Sequence, residues 1–526
     1  MTSHRVLIAG EWRESEAAGT FHAENPATGE RLPDEYPVSA WTECDRALAA
    51  ATEAAQLLRS VAPDQIAAFL TRFADRLDAR KQELADQAHL ETGLAKSPRL
   101  ADVELPRTTD QLRQAAAAAV EGSWALPTID TKLNIRSCLA PIGPVVVFGP
   151  NNFPFAFNGA AGGDFAAAIA AGNPVIAKGH PLHPGTSRML AEEAFAAVTD
   201  AGLPPATVQL LYRTEPASGV KLVSDPRVGA SGFTGSRSAG LKLKAAADAV
   251  GKPIYVELSS VNPVLMLPGA LAERGEKLAE EFAGSCLLGG GQFCTNPGLV
   301  VLFEGPASEA FIAEVARRFE TAAPPPLLSK AVVDSLTSSV KTLQAAGATL
   351  LTGGAPLPPP GRRHANTLMR VSGATFIAAS RALQTEAFGA ASLLVVCQGA
   401  PEARRVVDEL EGNLTGSIYT DTRGTDDALY AELAPRLRQR VGRLLNDKMP
   451  TGVAVSPAMN HGGPFPATGH PGFTAVGIPA SLRRFAMLQC YDNVRPERLP
   501  AALRDANPNG RMWRLIDGDW TRGDVS

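Results

Sequence analysis

The run Gly289-Gly290-Gly291-Gln292-Phe293-Cys294-Thr295-Asn296-Pro297-Gly298 sets a cysteine on a glycine-rich loop. Backbone amides on such a loop can stabilise a thiolate or a developing oxyanion. The competing reading of any Cys is a small buried hydrophobe, and Cys286, inside the helical run 278–287, reads that way. A second feature is Gly232-Phe233-Thr234-Gly235-Ser236, with Gly240 closing the turn before a helix. Small residues at a helix start suit a pyrophosphate, although this pattern departs from GxGxxG and equally describes a tight strand–helix turn. In Val256-Glu257-Leu258-Ser259-Ser260 a carboxylate ends an apolar strand, either as a general base or as a residue at the wet edge of a sheet. Pro150-Asn151-Asn152-Phe153-Pro154 supplies side-chain amides that either donate hydrogen bonds or simply turn the chain. Nucleophile, base, amide donor and phosphate turn each follow a separate strand candidate. One sheet edge can gather all four.

The elements that must position them read as follows. A short hairpin opens the chain at Val6–Ile8, Gly10 and Trp12. Residues 42–60, 63–92 and 98–120 carry helical apolar spacing, with Asp64 and Glu104 as first-turn carboxylates favouring the helix dipole and Gly93 as a stop. From about residue 143 short apolar runs at 145–148, 174–177, 208–212, 229–233 and 254–257 alternate with helix-length stretches at 155–171, 185–201 and 236–249. That alternation predicts parallel βαβ units in a doubly wound sheet, with a ligand crevice at the strand ends. A second alternating region runs from about 262 to 447, with strands at 262–267, 298–303, 393–397 and 415–420. The last ~70 residues are rich in Gly and Pro and read as a wrapping segment.

Composition bounds the class. The chain has 526 residues, which allows roughly three or four domain-sized units. A net charge of −4 gives no global field toward nucleic acid or anionic lipid, so neither is expected as a partner. Hydrophobic content of 45% with 20% charged residues excludes disorder as the main state. No apolar run spans a membrane, and no secretory signal is visible at the N-terminus. Six scattered Cys without a CxxC pair form neither a disulfide framework nor a zinc motif, so no metal is expected and a reducing cytoplasm is.

Taken together, Asn151-Asn152-Phe153-Pro154, Lys178, Phe233-Thr234-Gly235-Ser236, Glu257-Leu258, Phe293-Cys294 and Glu386-Ala387-Phe388-Gly389 resemble, in order and separation, the aldehyde dehydrogenase superfamily over almost the whole chain. The resemblance implies an α/β architecture: a doubly wound parallel-sheet dinucleotide-binding domain (1–123 and 143–257), an α/β catalytic domain (258–452), a β oligomerisation arm (124–142 and 470–495) and a C-terminal tail (496–526). It also implies a homodimer or homotetramer. By resemblance Cys294 attacks the aldehyde, Asn152 and the Cys294 amide hold the oxyanion, and Glu257 activates the water that hydrolyses the thioester. Lys178 and Glu386 would bind the two riboses and Ser236 the pyrophosphate, with Gly235, Gly240 and Phe388 completing the cofactor site. Two departures, Ser259-Ser260 after Glu257-Leu258 and Ala390 after Phe388-Gly389, touch geometry rather than the reacting groups.

The stretch Lys178–Ser187, the Met459–Pro466 segment and the tail near Trp520 resemble the branch of α-ketoglutaric semialdehyde (2,5-dioxovalerate) dehydrogenases and bacterial NADP-dependent fatty aldehyde dehydrogenases. The expected reaction is therefore oxidation of 2,5-dioxovalerate to 2-oxoglutarate. The alternatives are a fatty or medium-chain aldehyde substrate and, more remotely, a CoA-acylating or non-catalytic nucleotide-binding relative. Retention of Glu257 speaks against an acylating enzyme. NADP is expected over NAD because position 181 is Pro rather than a repelling Glu, with His180, Thr186 and Arg213 as neighbours for a 2′-phosphate. Arg107 is the candidate for a substrate carboxylate, unless it pairs with Glu104 or Asp110 on a solvated helix face. Phe155 and Phe157 would line the substrate tunnel. His461 reads either as a second base or as a loop histidine with a structural hydrogen bond.

Overall fold

Short runs of consecutive buried apolar residues, with no polar face to offer water, pair as the centre of a parallel sheet. A computed structural model describes residues 3–525; Met1, Thr2 and Ser526, the outer limits of the expected segments, lie outside the described residues. The first sheet has seven strands in the order Ile254–Glu257, Ala230–Thr234, Val145–Phe148, Val175–Lys178, Val208–Leu211, Val6–Ile8 and Glu11–Arg13. The first five are parallel, and the N-terminal hairpin closes the edge antiparallel. Register places Phe148 beside both Lys178 and Phe233, and Thr234 beside Glu257. The carboxyl ends of these strands therefore line up, and that is where the loops bearing the candidate residues leave the sheet.

A second seven-stranded sheet runs Thr349–Thr352, Thr367–Ser372, Ala391–Cys397, Leu299–Phe303, Val264–Met266, Asn413–Tyr419 and Val441–Asn446. All its pairings are parallel except the antiparallel edge strand Thr349–Thr352. A five-stranded sheet joins Ala486–Asp492, Ile135–Pro141, Thr128–Asp130, Arg514–Ile516 and Asp519–Thr521. The segment expected as a separate tail thus adds two strands to the arm's sheet. A small three-stranded sheet contains Ala17–Asn25 and Glu30–Ser39, a hairpin absent from the sequence reading because few of its residues are buried and it lacks apolar alternation.

Three helix expectations need correction. The stretch 63–92 divides at Arg80 into two helices, Pro63–Ala79 and Lys81–Thr92. The stretch 155–171 is helical only over Gly163–Ala170; before it the chain makes a buried turn in which Gly162 lies against the Phe157 backbone, where a Cβ would sit 2.5 Å from the Phe157 Cα. The stretch 98–120 begins as a π-helical turn, Lys96–Glu104, and becomes α-helical at Leu105–Glu121. That turn rotates Glu104 inward, away from any role as a first-turn dipole partner. By contrast Gly93 ends its helix as expected, in the left-handed conformation at φ 67°.

Candidate active site

The Cys294 loop is built by three successive glycines, Gly289, Gly290 and Gly291, all with φ between 57° and 70°. Gly291 also passes so close to Gly389 that a Cβ would sit 2.1 Å from its carbonyl oxygen. This close approach brings the Cys294 and Glu386–Phe388 segments together. Gln292 pins the loop from within: its Nε2 donates to the Gly289 carbonyl and its Oε1 accepts from the Leu328 amide. From the second sheet, Asn262 Nδ2 donates to the carbonyls of Cys294 (2.9 Å) and Asn296 (2.8 Å). Asn413 Oδ1 in turn accepts from the Val261 and Asn262 amides. These two asparagines position the nucleophile loop, and nothing in their sequence spacing marks them.

Cys294, Glu257 and His461 converge, with their ligating atoms all within 4.8 Å of one another. His461 Nε2 lies 3.0 Å from Glu257 Oε1 and 3.4 Å from Cys294 Sγ. Glu257 and His461 are each only 1% exposed, and Glu257 Oε2 has no partner among the described residues. Burial, reinforced by the neighbouring Glu257, pushes the Cys294 thiol well above its ordinary pKa. In the free chain the thiol is therefore protonated and needs an acceptor before it can attack. Asn152 Nδ2 donates to the Gln292 carbonyl at 3.0 Å, which fixes its amide beside the loop. Cys286 sits elsewhere, fully buried in a core cluster with its pKa pushed up to about 12 by burial.

The loop carrying Asn152 is clamped from the π-helical turn. Arg99 donates to the Asn152 carbonyl (3.0 Å) and pairs with buried Glu104, whose Oε1 accepts from the Phe155 and Ala156 amides. Because Arg99 occupies Glu104 and Asp110 accepts from Gln114, Arg107 pairs with neither acid, which corrects the solvated-face alternative. Its side chain turns inward, with the guanidinium 5.1 Å from the Phe157 ring and 5.7 Å from the Phe153 ring. Its Nε and Nη2 have no hydrogen-bond partner among the described residues. Phe157 and Phe153 share a cluster with Phe293, Phe473 and Val476, beside His461. Phe155 does not join them; it faces the main core, because side chains in this turn point to opposite sides.

A cavity of about 560 Å³ runs from His180, Pro181 and Leu182 past Thr234–Ser236 and Glu386–Phe388 to Glu257 and Cys294. Ser329, Val332 and Ser335 form a wall that the sequence reading missed, because their helix, Lys330–Ala345, carries no chemical motif. Ser236 caps the helix Arg237–Asp248, accepting from the Ala239 amide, so that helix N-terminus opens on the cavity. Gly240 lets the helix sit down on the strand: a Cβ there would lie 2.3 Å from Leu258. Lys178, at the end of its strand, is lowered to about 8 by burial and by Arg213, and Glu386 is raised to about 7 by burial. Two expected neighbours of a 2′-phosphate fail. Burial holds the pKa of His180 well below its ordinary value, so it brings no positive charge, and Thr186 is buried donating to Glu91.

A crevice with a helix N-terminus at its side and a half-buried thiol at its floor fits a dinucleotide delivered to a covalent intermediate. The aldehyde dehydrogenase family model matches residues 12–457. The chain is 38% identical to α-ketoglutaric semialdehyde dehydrogenase 2 of Azospirillum brasilense over 97% of this chain and 98% of that one. It is 35% identical to an α-ketoglutaric semialdehyde dehydrogenase of Acinetobacter baylyi, covering 91% and 92%. A point variant of betaine aldehyde dehydrogenase from Staphylococcus aureus superposes with a TM-score of 0.81 at 19% identity, covering 94% of this chain and 96% of that one. This chain belongs to the aldehyde dehydrogenase family and carries out NAD(P)-dependent aldehyde oxidation.

Proposed function

We propose that the enzyme oxidises a short aldehyde bearing a carboxylate at its far end, 2,5-dioxovalerate, to 2-oxoglutarate, with NADP preferred to NAD. The observation that carries the substrate reading is Arg107, a guanidinium enclosed by aromatic rings with two N–H-bearing nitrogens unpartnered. A buried charge without a partner is costly, and a carboxylate offers the bidentate geometry that would relieve it. The names of the two bacterial relatives agree with this reading. Arg107→Met assayed with the acidic semialdehyde should lose about 1.5–3 kcal/mol, roughly ten- to hundredfold in kcat/KM. An uncharged aldehyde of similar length should lose nothing. Equal losses on both would reduce Arg107 to a structural role. The aromatic cluster of Phe153, Phe157, Phe293 and Phe473 favours a second reading, a medium-chain alkyl aldehyde, and a wild-type preference for such substrates would establish it.

In the proposed chemistry Glu257 accepts the Cys294 proton, and the thiolate forms a thiohemiacetal whose oxyanion takes the second Asn152 N–H and the Cys294 amide. His461 is a positioning residue here: with its proton on Nε2 it donates to Glu257 Oε1, which leaves Oε2 free to take a proton from thiol or water. When bound, the nicotinamide supplies the hydride acceptor. Gly235, Ser236 and Gly240 would seat its pyrophosphate, Glu386 and Phe388 would hold the nicotinamide end, and Lys178 with Arg213 would hold the adenosine ribose. Once Glu257 has passed the thiol proton to solvent, its carboxylate takes a proton from water, whose hydroxide adds to the thioester and releases the acid and the Cys294 thiolate.

The cofactor preference rests on the cationic pair Lys178–Arg213 and on Pro181, which brings no carboxylate to the cavity mouth. A lower KM for NAD than for NADP would overturn it. A pH dependence follows. Lys178 in the free enzyme loses its proton as pH rises through about 8, whereas an anionic cofactor favours the charged form, so binding above that pH requires proton uptake. The NADP Kd, read by fluorescence titration, should therefore weaken above pH about 8, and Lys178→Arg should flatten that slope. We further propose a homodimer or homotetramer assembled through the five-stranded sheet, whose edge strand Ala486–Asp492 exposes Leu488 at 67%. A free nucleophilic thiol suits the reducing cytoplasm as the working compartment.

A further inference from the structure

The three groups at the floor of the crevice are also a soft-metal ligand set. Cys294 Sγ, His461 Nε2 and a Glu257 carboxylate oxygen offer one ligand atom each, all within 4.8 Å of one another. A tetrahedral zinc ion, with Zn–S of about 2.3 Å and Zn–N and Zn–O of about 2.0 Å, holds its sulfur and nitrogen about 3.5 Å apart and its nitrogen and oxygen about 3.3 Å apart. The observed separations are 3.4 Å and 3.0 Å. The oxygen at the fitting distance is Glu257 Oε1, bonded to His461, while Oε2 of the same carboxylate is buried with no hydrogen-bond partner among the described residues, so the carboxylate is only half satisfied. Three protein ligands, two of which line a cavity, leave a fourth position for water, the arrangement of an exchangeable zinc site rather than a closed structural one.

The geometry points to Cys294, His461 and Glu257 as a reversible inhibitory site for a thiophilic divalent cation, zinc above all. Thiolate, imidazole and carboxylate together select such an ion over calcium or magnesium, which take oxygen ligands. Binding replaces the thiol proton, which leaves to solvent, and moves the imidazole proton from Nε2 to Nδ1; no electron is transferred. Arg107 and Arg443 are the nearby cations that oppose it. Thiolate and carboxylate balance the two guanidiniums, and Glu386, which also acts on Cys294, adds negative charge toward the ion. Access is through the crevice, since Cys294 and Glu257 both line the 560 Å³ cavity. Occupied in this way, Cys294 cannot attack an aldehyde. The inference depends on the ligand set and not on which aldehyde the enzyme takes.

The test uses the full-length enzyme and zinc sulfate. Equilibrium dialysis should give one tight zinc per chain, and inhibition should be competitive with aldehyde and reversed by a chelator. Cys294→Ser and His461→Gln should each weaken zinc binding by at least about tenfold. Cys490→Ser, which removes the exposed thiol on the arm, should leave it unchanged. Cobalt added in place of zinc should show a thiolate charge-transfer band that Cys294→Ser abolishes; this readout needs no activity and reports directly on the ligand. Unchanged zinc affinity in Cys294→Ser and His461→Gln, or loss of binding in Cys490→Ser, would overturn the site. So would inhibition that a chelator does not reverse.

Discussion

Cys294→Ala is expected to abolish aldehyde oxidation, by about 10⁴-fold or more in kcat, while leaving the cofactor Kd unchanged. The thiol is the only nucleophile among the described residues that faces both the crevice and the Glu257–His461 pair. Its removal deletes the covalent intermediate but none of the groups along the rest of the cavity. Cys286→Ala is the matched control. That sulfur lies in a core cluster and accepts from Asn296 Nδ2, so its loss should lower Tm and spare turnover. Steady-state kinetics beside a cofactor titration would check both variants. Activity surviving in Cys294→Ala and lost in Cys286→Ala would reverse the assignment.

The second large effect is expected from Glu257→Gln. Glutamine keeps the size of the side chain and can still meet His461 Nε2, but it has no basic oxygen. A general base typically contributes about 10²–10⁴-fold, so kcat should fall by that range. Deacylation should slow more than hydride transfer, giving a burst of reduced cofactor close to one per active site and then a slow steady state. Stopped-flow absorbance of the reduced nicotinamide reads both phases. His461→Gln should cost less, because it orients Glu257 without being the acceptor. If His461→Gln cost more than Glu257→Gln, the histidine would be the base.

Much of this was legible because the parallel sheet announces itself. Consecutive buried residues such as Val145–Phe148 and Ile254–Glu257 have no alternative home in a water-soluble fold, and their register aligns the loops that follow them. The hairpin Ala17–Asn25 and Glu30–Ser39 was not legible, since strands in a small, half-buried sheet owe their form to pairing rather than to burial. The strands in the C-terminal segment were hidden for a similar reason: Arg514–Ile516 takes its form from pairing with Thr128–Asp130 and Asp519–Thr521.

At the site the division is sharper. Sequence alone determined the family, the fold class and the chemical types at Cys294, Glu257 and Asn152, because each is bound to a local motif whose glycines or strand end dictate its backbone. Tertiary structure decided what those groups meet. His461 comes from a loop 204 residues beyond Glu257, yet its Nε2 bonds that carboxylate and touches the thiol. Arg107 turns inward while Arg99 pairs with Glu104, and Phe155 is lost to the core while Phe153 takes a place near the guanidinium. His180 gives up its charge to burial, and the zinc ligand set exists in no spacing of Cys and His along the chain. The physical reason is common to all of these. A local pattern fixes backbone and residue type, whereas pairing, desolvation and orientation are properties of what packs opposite, and the chain brings those partners from hundreds of residues away.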